Sequence, residues 1–356
     1  MNPHLRALSA SFEGETRGRA RGARVGWGVL ALAATALALA GPLLFAQWVI
    51  QLAFLWLMVL FALTWDLLGG QMGYNSFGNV LYFGLGCYAT AVIQRDSGLS
   101  YFASLAAGLG LSALIAVTAA AVLGPFILGM RGQYFAIATL GIGVAAADLF
   151  AGWEFVGAGS GIVPALYPGT VDERNRFFYY LLLALAAATF LTLRWLYATR
   201  FGAVLNAIRD DEDKAEAMGV RTTRHKVAAW MVAALFLGLA GGPVAGLIGF
   251  VDPRELAFAG TTFGVWMVLM AMLGGKGTLW GPVIGAAVFH VTQELFWTYL
   301  LGWQRVAMGL LIVLIVVFFP QGIMGWLRTH RPHWFGEIVD ETEAAILAGG
   351  QHERAT

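Results

Sequence analysis

Residues 199–226 read TRFGAVLNAIRDDEDKAEAMGVRTTRHK, a hydrophilic island between two long apolar runs. The island holds 11 charged side chains, from Arg200 to Lys226, out of 22 Lys and Arg and 21 Asp and Glu in the whole chain. Seven more charges precede Val25 and eight follow Leu327, so the rest of the chain is depleted of charge, as hydrocarbon burial requires. Hydrophobic residues make up 59% of the chain, charged residues 12%, and the mean hydropathy is +0.71. A soluble globular domain carries about 25% charge. The composition therefore dictates an all-α polytopic membrane protein. A net charge of +1 argues for neither nucleic acid nor an acidic ligand. Cys87 is the single cysteine, which excludes a disulfide within the chain and a cysteine-based metal site.

A helix needs about 20 apolar residues to cross the hydrocarbon. Ten stretches come near that length, giving about ten transmembrane helices: 25–46, 48–69, 74–93, 101–128, 132–152, 177–197, 227–250, 258–274, 281–300 and 303–320. The first is too long for a signal-peptide core and reads as a retained helix behind a basic tail, 1–24, with Arg6, Arg17, Arg19, Arg21 and Arg24. The transmembrane domain then spans 25–326 and a C-terminal tail occupies 327–356. Gly124-Pro125, Gly241-Gly242-Pro243 and Gly281-Pro282 read as kinks or span boundaries. With both termini in the cytoplasm, 17 Lys and Arg fall inside, and only Arg95, Arg174, Arg176, Arg254 and Arg305 fall outside. This orientation puts the 199–226 loop in the cytoplasm and makes 153–176 the longest outer loop. GGQMG at 69–73 and GGKG at 274–277 each follow a span of the same direction, a short echo of an internal duplication.

Within the island, Ala203 to Met218 is expected to be helical. Asp210 and Lys214 are spaced for an i, i+4 pair, and Gly219 stands where a left-handed C-cap belongs. Val204, Ile208, Ala215 and Met218 share one side, interrupted by Asp211. Such a loop is either a solvated connector or a docking element. Asp210, Asp211, Glu212, Asp213 and Glu216 would be repelled by an anionic leaflet, which favours a protein partner over lipid. Polar side chains inside apolar spans are candidates for a translocation pathway: Asn75, Ser76 and Asn79 first, then Thr139, Thr261 and Thr262. Their alternative is interhelical hydrogen bonding. His290 and Glu294, one turn apart, are either a structural pair or the proton relay of an ion-coupled secondary transporter. Asp66 and Asp148 lie near enough to span ends to reach water. No G-x-x-x-x-G-K-[ST] loop, HExxH motif, Cys/His cluster or nucleophile–base constellation is present, so catalysis, metal and nucleotide chemistry are not expected of this chain.

The segment from Arg200 to Lys226 resembles the cytoplasmic loop of the membrane permeases of branched-chain amino acid ABC importers, the LivM/LivH class, in which an EAA-like segment docks on the ATPase. Further blocks agree in order: ALTWDLLGGQMGYNSFGNVLYFGLGCY at 62–88, with Gly70, Gly73, Ser76, Gly78, Phe83, Gly84, Gly86 and Tyr88 in register, then MRGQYFAIATLG at 130–141, GAGSGIVP at 157–164, AMLGGKGTLWGPVIGAA at 271–287 and FFPQGIMG at 318–325. The resemblance covers roughly 48–326 and implies an ABC importer permease fold in a bacterial inner membrane. It implies an ATPase-docking core of Arg209, Asp210, Asp211, Glu212, Ala215, Glu216, Ala217, Met218 and Gly219. It also implies docking of a periplasmic solute-binding protein at Gly157, Gly159, Ser160 and Gly161, with Asp252 to Glu255 as a second outer candidate. The implied partners are ATP-binding-cassette ATPase subunits, a LivH-like second permease and that binding protein; the chain would bind no cofactor, ATP and magnesium being used by the ATPase. The implied cargo is a small polar solute, branched-chain or related amino acids first, with urea or short amides as an alternative. The chain departs from the family pattern at Asp66, Tyr74, Asn75 and Asn79, which leaves the solute open.

Overall fold

The computed structural model describes residues 35–300, residues 302, 303, 306, 307, 309, 310, 313 and 317, and residues 321–330. The 1–24 tail, part of the first expected span, most of the 303–320 span and the chain beyond 330 lie outside the described residues.

Long runs of Ala, Leu, Val and Phe form helices here because a segment in hydrocarbon must satisfy its backbone polar groups internally. In chain order the helices are α1 (Thr35–Leu44), α2 (Val49–Gly69), α3 (Val80–Asp96), α4 (Tyr101–Ile127), α5 (Gly132–Gly152), α6 (Val171–Tyr197), α7 (Arg200–Asp210), α8 (Glu212–Ala217), α9 (Thr222–Ile248), α10 (Val265–Gly274), α11 (Gly281–Tyr299) and α12 (Gly322–His330). Six helical stretches are long and apolar enough to cross a membrane: Ala46–Gly69, Tyr101–Ile127, Gly132–Gly152, Val171–Tyr197, Thr222–Ile248 and Pro253–Gly274. The shorter α3 and α11 stand where two further spans are expected. The protein is thus all-helical and multi-pass. Among the described residues the β-structure is a single antiparallel bridge, Ile162 with Val251.

The chain divides into two compact units, Met1–Ala40 with Met324–Thr356, and Gly41–Ile323. Only helical residues of the first, 35–40 and 324–330, are described, and everything below concerns the second. At its centre α9 packs against α3 and α4 through small residues. A Cβ at Gly86 would stand 2.8 Å from the Gly238 carbonyl carbon, so only glycine permits this crossing of α3 and α9. Ser112 Oγ donates to the Gly86 carbonyl at 3.0 Å and lies 3.0 Å from Thr90 Oγ1, adding α4 to the crossing. On the periphery Leu114, Val122 and Phe126 of α4, Tyr134, Ile137 and Leu149 of α5, and Leu191 and Trp195 of α6 are exposed, an apolar exterior suited to lipid. The three prolines take different roles: Pro125 and Pro243 are absorbed inside α4 and α9, and Pro282 opens α11.

Two local expectations are corrected. The helix expected from Ala203 to Met218 is broken at Asp211, whose backbone is extended (φ −164°, ψ 102°) and whose carboxylate accepts the Lys214 N–H at 3.0 Å as an N-cap. The Asp210–Lys214 pair therefore does not form; Lys214 pairs with Asp211 at 2.9 Å and Asp210 with Arg209 at 3.1 Å. Gly219 does take the left-handed conformation, at φ +87°. Asp66, expected to reach water, is buried and accepts the Gly277 N–H at 2.7 Å. Asp148, by contrast, is exposed and pairs with Arg254 at 3.0 Å.

Candidate functional site

Helices α7 and α8 lie at the end of the bundle where α2 and α6 finish and α9 begins. Leu205, Ile208 and Ala215 of the pair are buried, whereas Met218 is 83% exposed, off the apolar side that its spacing suggested. Asp210, Lys214, Glu216 and Ala217 also face outward. Glu212 turns inward. Its Oε1 accepts from Lys226 Nζ at 2.6 Å and its Oε2 accepts from the Tyr74 hydroxyl at 2.6 Å. Lys226, 3% exposed, also donates to the Leu128 carbonyl at 2.7 Å and to the Tyr74 hydroxyl at 3.0 Å, so its three donors are all used. Arg131 flanks the cluster, 3.3 Å from Glu212 and 2.8 Å from Asp213. Burial pushes the Glu212 carboxyl up, but its bonds from Lys226 and Tyr74 and the charges of Lys226 and Arg131 outweigh that and hold it below its ordinary value of 4.5. Hydrogen bonding to Arg131, then its charge, lowers Asp213 in the same way.

A second tie joins this element to the bundle. Arg209 donates to the Gly70 carbonyl at 3.4 Å, and Gln71 Nε2 donates to the Gly277 carbonyl at 2.9 Å. The glycine turns at 69–73 and 274–277, an echo of each other in sequence, therefore touch in space.

Between α2 and α3 the chain is not helical from Gly73 to Gly78. Side chains hold it instead: Trp65 Nε1 donates to the Ser76 carbonyl at 2.8 Å, the Phe77 N–H donates to Thr139 Oγ1 at 3.1 Å, and Ser76 Oγ donates to Asn79 Oδ1 at 2.9 Å. Ser76, Asn79 and Thr139, three of the sequence candidates, are thus brought together and buried. Asn79 Nδ2 is a buried donor with no partner among the described residues, the kind of group that requires an explanation. Asn75 is exposed at the edge of this group. The irregular stretch before α10, two π-helical turns at Pro253–Ala257 and Gly260–Gly264, approaches it: Gly264 lies so near the Phe77 carbonyl that a Cβ would stand 2.9 Å away. Thr262 sits in the second turn and is half-buried, and the side chain of Thr261, also nominated from the sequence, lies outside the described residues. Two interrupted helices that meet inside a bundle are tolerated only where protein or a polar cavity satisfies the backbone.

At the opposite end, Gly157, Gly159, Ser160 and Gly161 form a tight loop with left-handed Gly157 and Gly161. The Ile162–Val251 bridge, with bonds of 3.0 and 2.9 Å, pins it beside Asp252, which caps the N–H groups of Arg254 and Glu255. The two outer candidates of the sequence are one surface.

His290 and Glu294 stand apart from all of this. His290 Nε2 donates to the Gln51 carbonyl at 2.8 Å, and among the described residues no ion pair joins it to Glu294. Both line an open cavity of about 470 Å³ with Trp48, Leu52, Leu55 and Tyr299. Among the described residues, Tyr299 is the one further titratable side chain lining this cavity.

Sequence reasoning missed Lys226, Arg131 and the structural use of Tyr74. The available signals were a lysine at the mouth of an apolar run and, far from it in sequence, the departure from the family pattern at Tyr74.

Broken spans around a polar group, and a charged helical pair bound to one end of the bundle, define a polytopic transport permease. The chain belongs to the family described as branched-chain amino acid transport system / permease component, which it matches over residues 48–318. It is similar to the high-affinity branched-chain amino acid transport system permease protein LivM of Salmonella typhimurium, at 26% identity over 83% of this chain and 75% of that one. The LivM protein of Escherichia coli is likewise 26% identical, over 82% and 73%. The fructose import permease protein FrcC of Rhizobium meliloti is 30% identical over 43% of this chain and 42% of its own. No solved structure matches the chain.

Proposed function

We infer that the chain is the membrane-spanning subunit of an ATP-binding-cassette importer that moves a small polar solute, branched-chain or related amino acids first, across a bacterial inner membrane. The observation that carries this reading is the α7–α8 element, whose inner side is bonded to the bundle while Asp210, Lys214, Glu216 and Met218 face outward. A surface of mixed charge around an exposed methionine suits a protein partner rather than a leaflet. That partner is the ATPase, which supplies ATP and magnesium chemistry that this chain does not. For a chain of ten spans, the distribution of Lys and Arg supports both termini and α7–α8 in the cytoplasm. Similarity to LivM supports assembly with a LivH-like second permease, and the bridged 157–164 and 251–255 surface is where a periplasmic binding protein would sit. Ser76, Asn79, Thr139 and Thr262, with Asn75 at the edge, line the pathway; Asp66 and Tyr74 depart from the family pattern for internal bonds rather than for cargo. The fructose permease relative shows that similarity over part of the chain does not by itself fix the solute.

Co-purification tests the reading. Detergent-extracted protein is expected to carry an ATPase, and Glu216→Arg or Gly219→Pro to release it. An ATPase-free preparation whose uptake follows a pH gradient would overturn it. Thermal-shift screening of the cognate binding protein identifies the solute.

A further inference from the structure

Tyr74, Glu212 and Lys226 come from three separate parts of the chain. Tyr74 opens the non-helical segment that carries Asn75, Ser76 and Asn79; Glu212 belongs to α8; Lys226 belongs to the first turns of α9. Their polar atoms close a triangle, with Lys226–Glu212 at 2.6 Å, Tyr74–Glu212 at 2.6 Å and Lys226–Tyr74 at 3.0 Å, and the Lys226 ammonium lies 4.8 Å from the centre of the Tyr74 ring. Arg209 holds α7 to Gly70 at the other end of the same inter-helix stretch. The 74–79 segment is therefore tied to α7–α8 through Tyr74 at its N-terminal side, while Trp65 and Thr139 hold Ser76 and Phe77 from the bundle side.

We propose that Lys226 is a positioning residue that makes the Tyr74–Asn79 segment follow the α7–α8 element, so that movement forced on the docking helices is delivered to the pathway group. The proposal rests on the transport reading above. Three features set this link apart from ordinary packing. Every donor of Lys226 is spent, so the ammonium cannot exchange partners without breaking a bond. The three bonds join separate parts of the chain, the Tyr74 hydroxyl, the Glu212 carboxylate and the Leu128 carbonyl that follows α4, to one ammonium. Finally, a buried ion pair contributes little net stability relative to apolar replacement, so its consequence is sought in geometry rather than in melting temperature.

The test uses the co-expressed complex with Asn75→Cys as a probe, since Asn75 is exposed and the native Cys87 is fully buried. Maleimide labelling of position 75 is measured without nucleotide and with ATP and vanadate. With the link intact the two rates are expected to differ by about fivefold or more, the lower end of coupling between sites. Lys226→Met is expected to retain the ATPase and bring the ratio close to one. Loss of the ammonium takes the closest counter-charge from Glu212 and lowers melting temperature under either role; a purely structural role leaves the ratio unchanged, and an unchanged ratio overturns the proposal. Should Lys226→Met fail to assemble, Tyr74→Phe removes one hydroxyl and keeps the ion pair. Its ratio is expected to fall to about half, and an unchanged ratio in that variant again overturns the proposal. Absence of an ATPase from the unmodified preparation overturns the transport reading and this proposal with it.

Discussion

Replacing Gly86 by Ala tests whether the crossing of α3 and α9 organises the bundle. A Cβ there would stand 2.8 Å from the carbonyl carbon and 3.0 Å from the Cα of Gly238, all backbone, so no rotamer change relieves the overlap. Carbon atoms pack at about 3.5–4.0 Å, and the helices must therefore separate by roughly 1 Å. A gap of that size forfeits about a third of each contact's roughly 0.15 kcal/mol; over on the order of 40 atom pairs the loss is about 2 kcal/mol. This falls inside the range of about 1–3 kcal/mol for overpacked cores. Alanine returns up to about 1 kcal/mol of helix propensity. Gly110 of α4 is the control, because a Cβ there meets nothing within 4 Å. Gly110→Ala is expected to be neutral or stabilising by up to about 1 kcal/mol. The two variants are thus separated by about 2 kcal/mol, or about 3 °C in melting temperature for a chain of 356 residues. Thermal unfolding in one detergent, followed by the monodisperse fraction on size exclusion, reads the difference. Equal melting temperatures for the two would refute the close crossing.

Three further outcomes follow from other parts of the molecule. The Glu212 carboxyl sits below 4.5 in the folded protein, so its contribution is present above that value and is lost as pH falls through the lowered folded value. Proteolysis of the 199–226 loop should accordingly stay slow from neutral pH down past 4.5 and accelerate only in more acidic medium; acceleration between pH 7 and 5 would contradict the Lys226 pairing. Introduced cysteines should report the fold of 73–79 directly, with Asn75→Cys labelled by maleimide and Asn79→Cys protected, since Asn79 is fully buried. Gly161→Ala forces a side chain onto a φ of +73° with ψ of −174°, a glycine-only region costing about 1–3 kcal/mol. It should open the 153–170 loop to protease while leaving the melting of the bundle unchanged, and protection of the loop in that variant would argue against the Ile162–Val251 bridge.

The apolar runs were legible because their information is local. Length sets whether a helix can span, and of the side marked by Val204, Ile208, Ala215 and Met218, Ile208 and Ala215 are buried while Met218 is exposed and the buried Leu205 was not on it. Gly219 could be read as a cap from its place after the last helical turn. The break at Asp211 was not legible, since an aspartate suits both a helix surface and an N-cap, and only the pull of Glu212 toward Lys226 selects the cap. Ser76, Asn79 and Thr139 could be nominated one by one as polar residues in apolar surroundings. Their meeting could not, because Thr139 lies on another helix.

By itself, then, the sequence determined that the chain is a helical, multi-pass membrane protein with one charged element set between apolar spans, because hydrocarbon imposes its cost residue by residue. Tertiary structure alone decided that Glu212 faces inward, that Lys226 joins it to Tyr74 152 residues away, and that the two glycine turns touch. A buried charge must find its counter-charge wherever packing brings one, and packing is a property of the whole bundle rather than of any stretch within it.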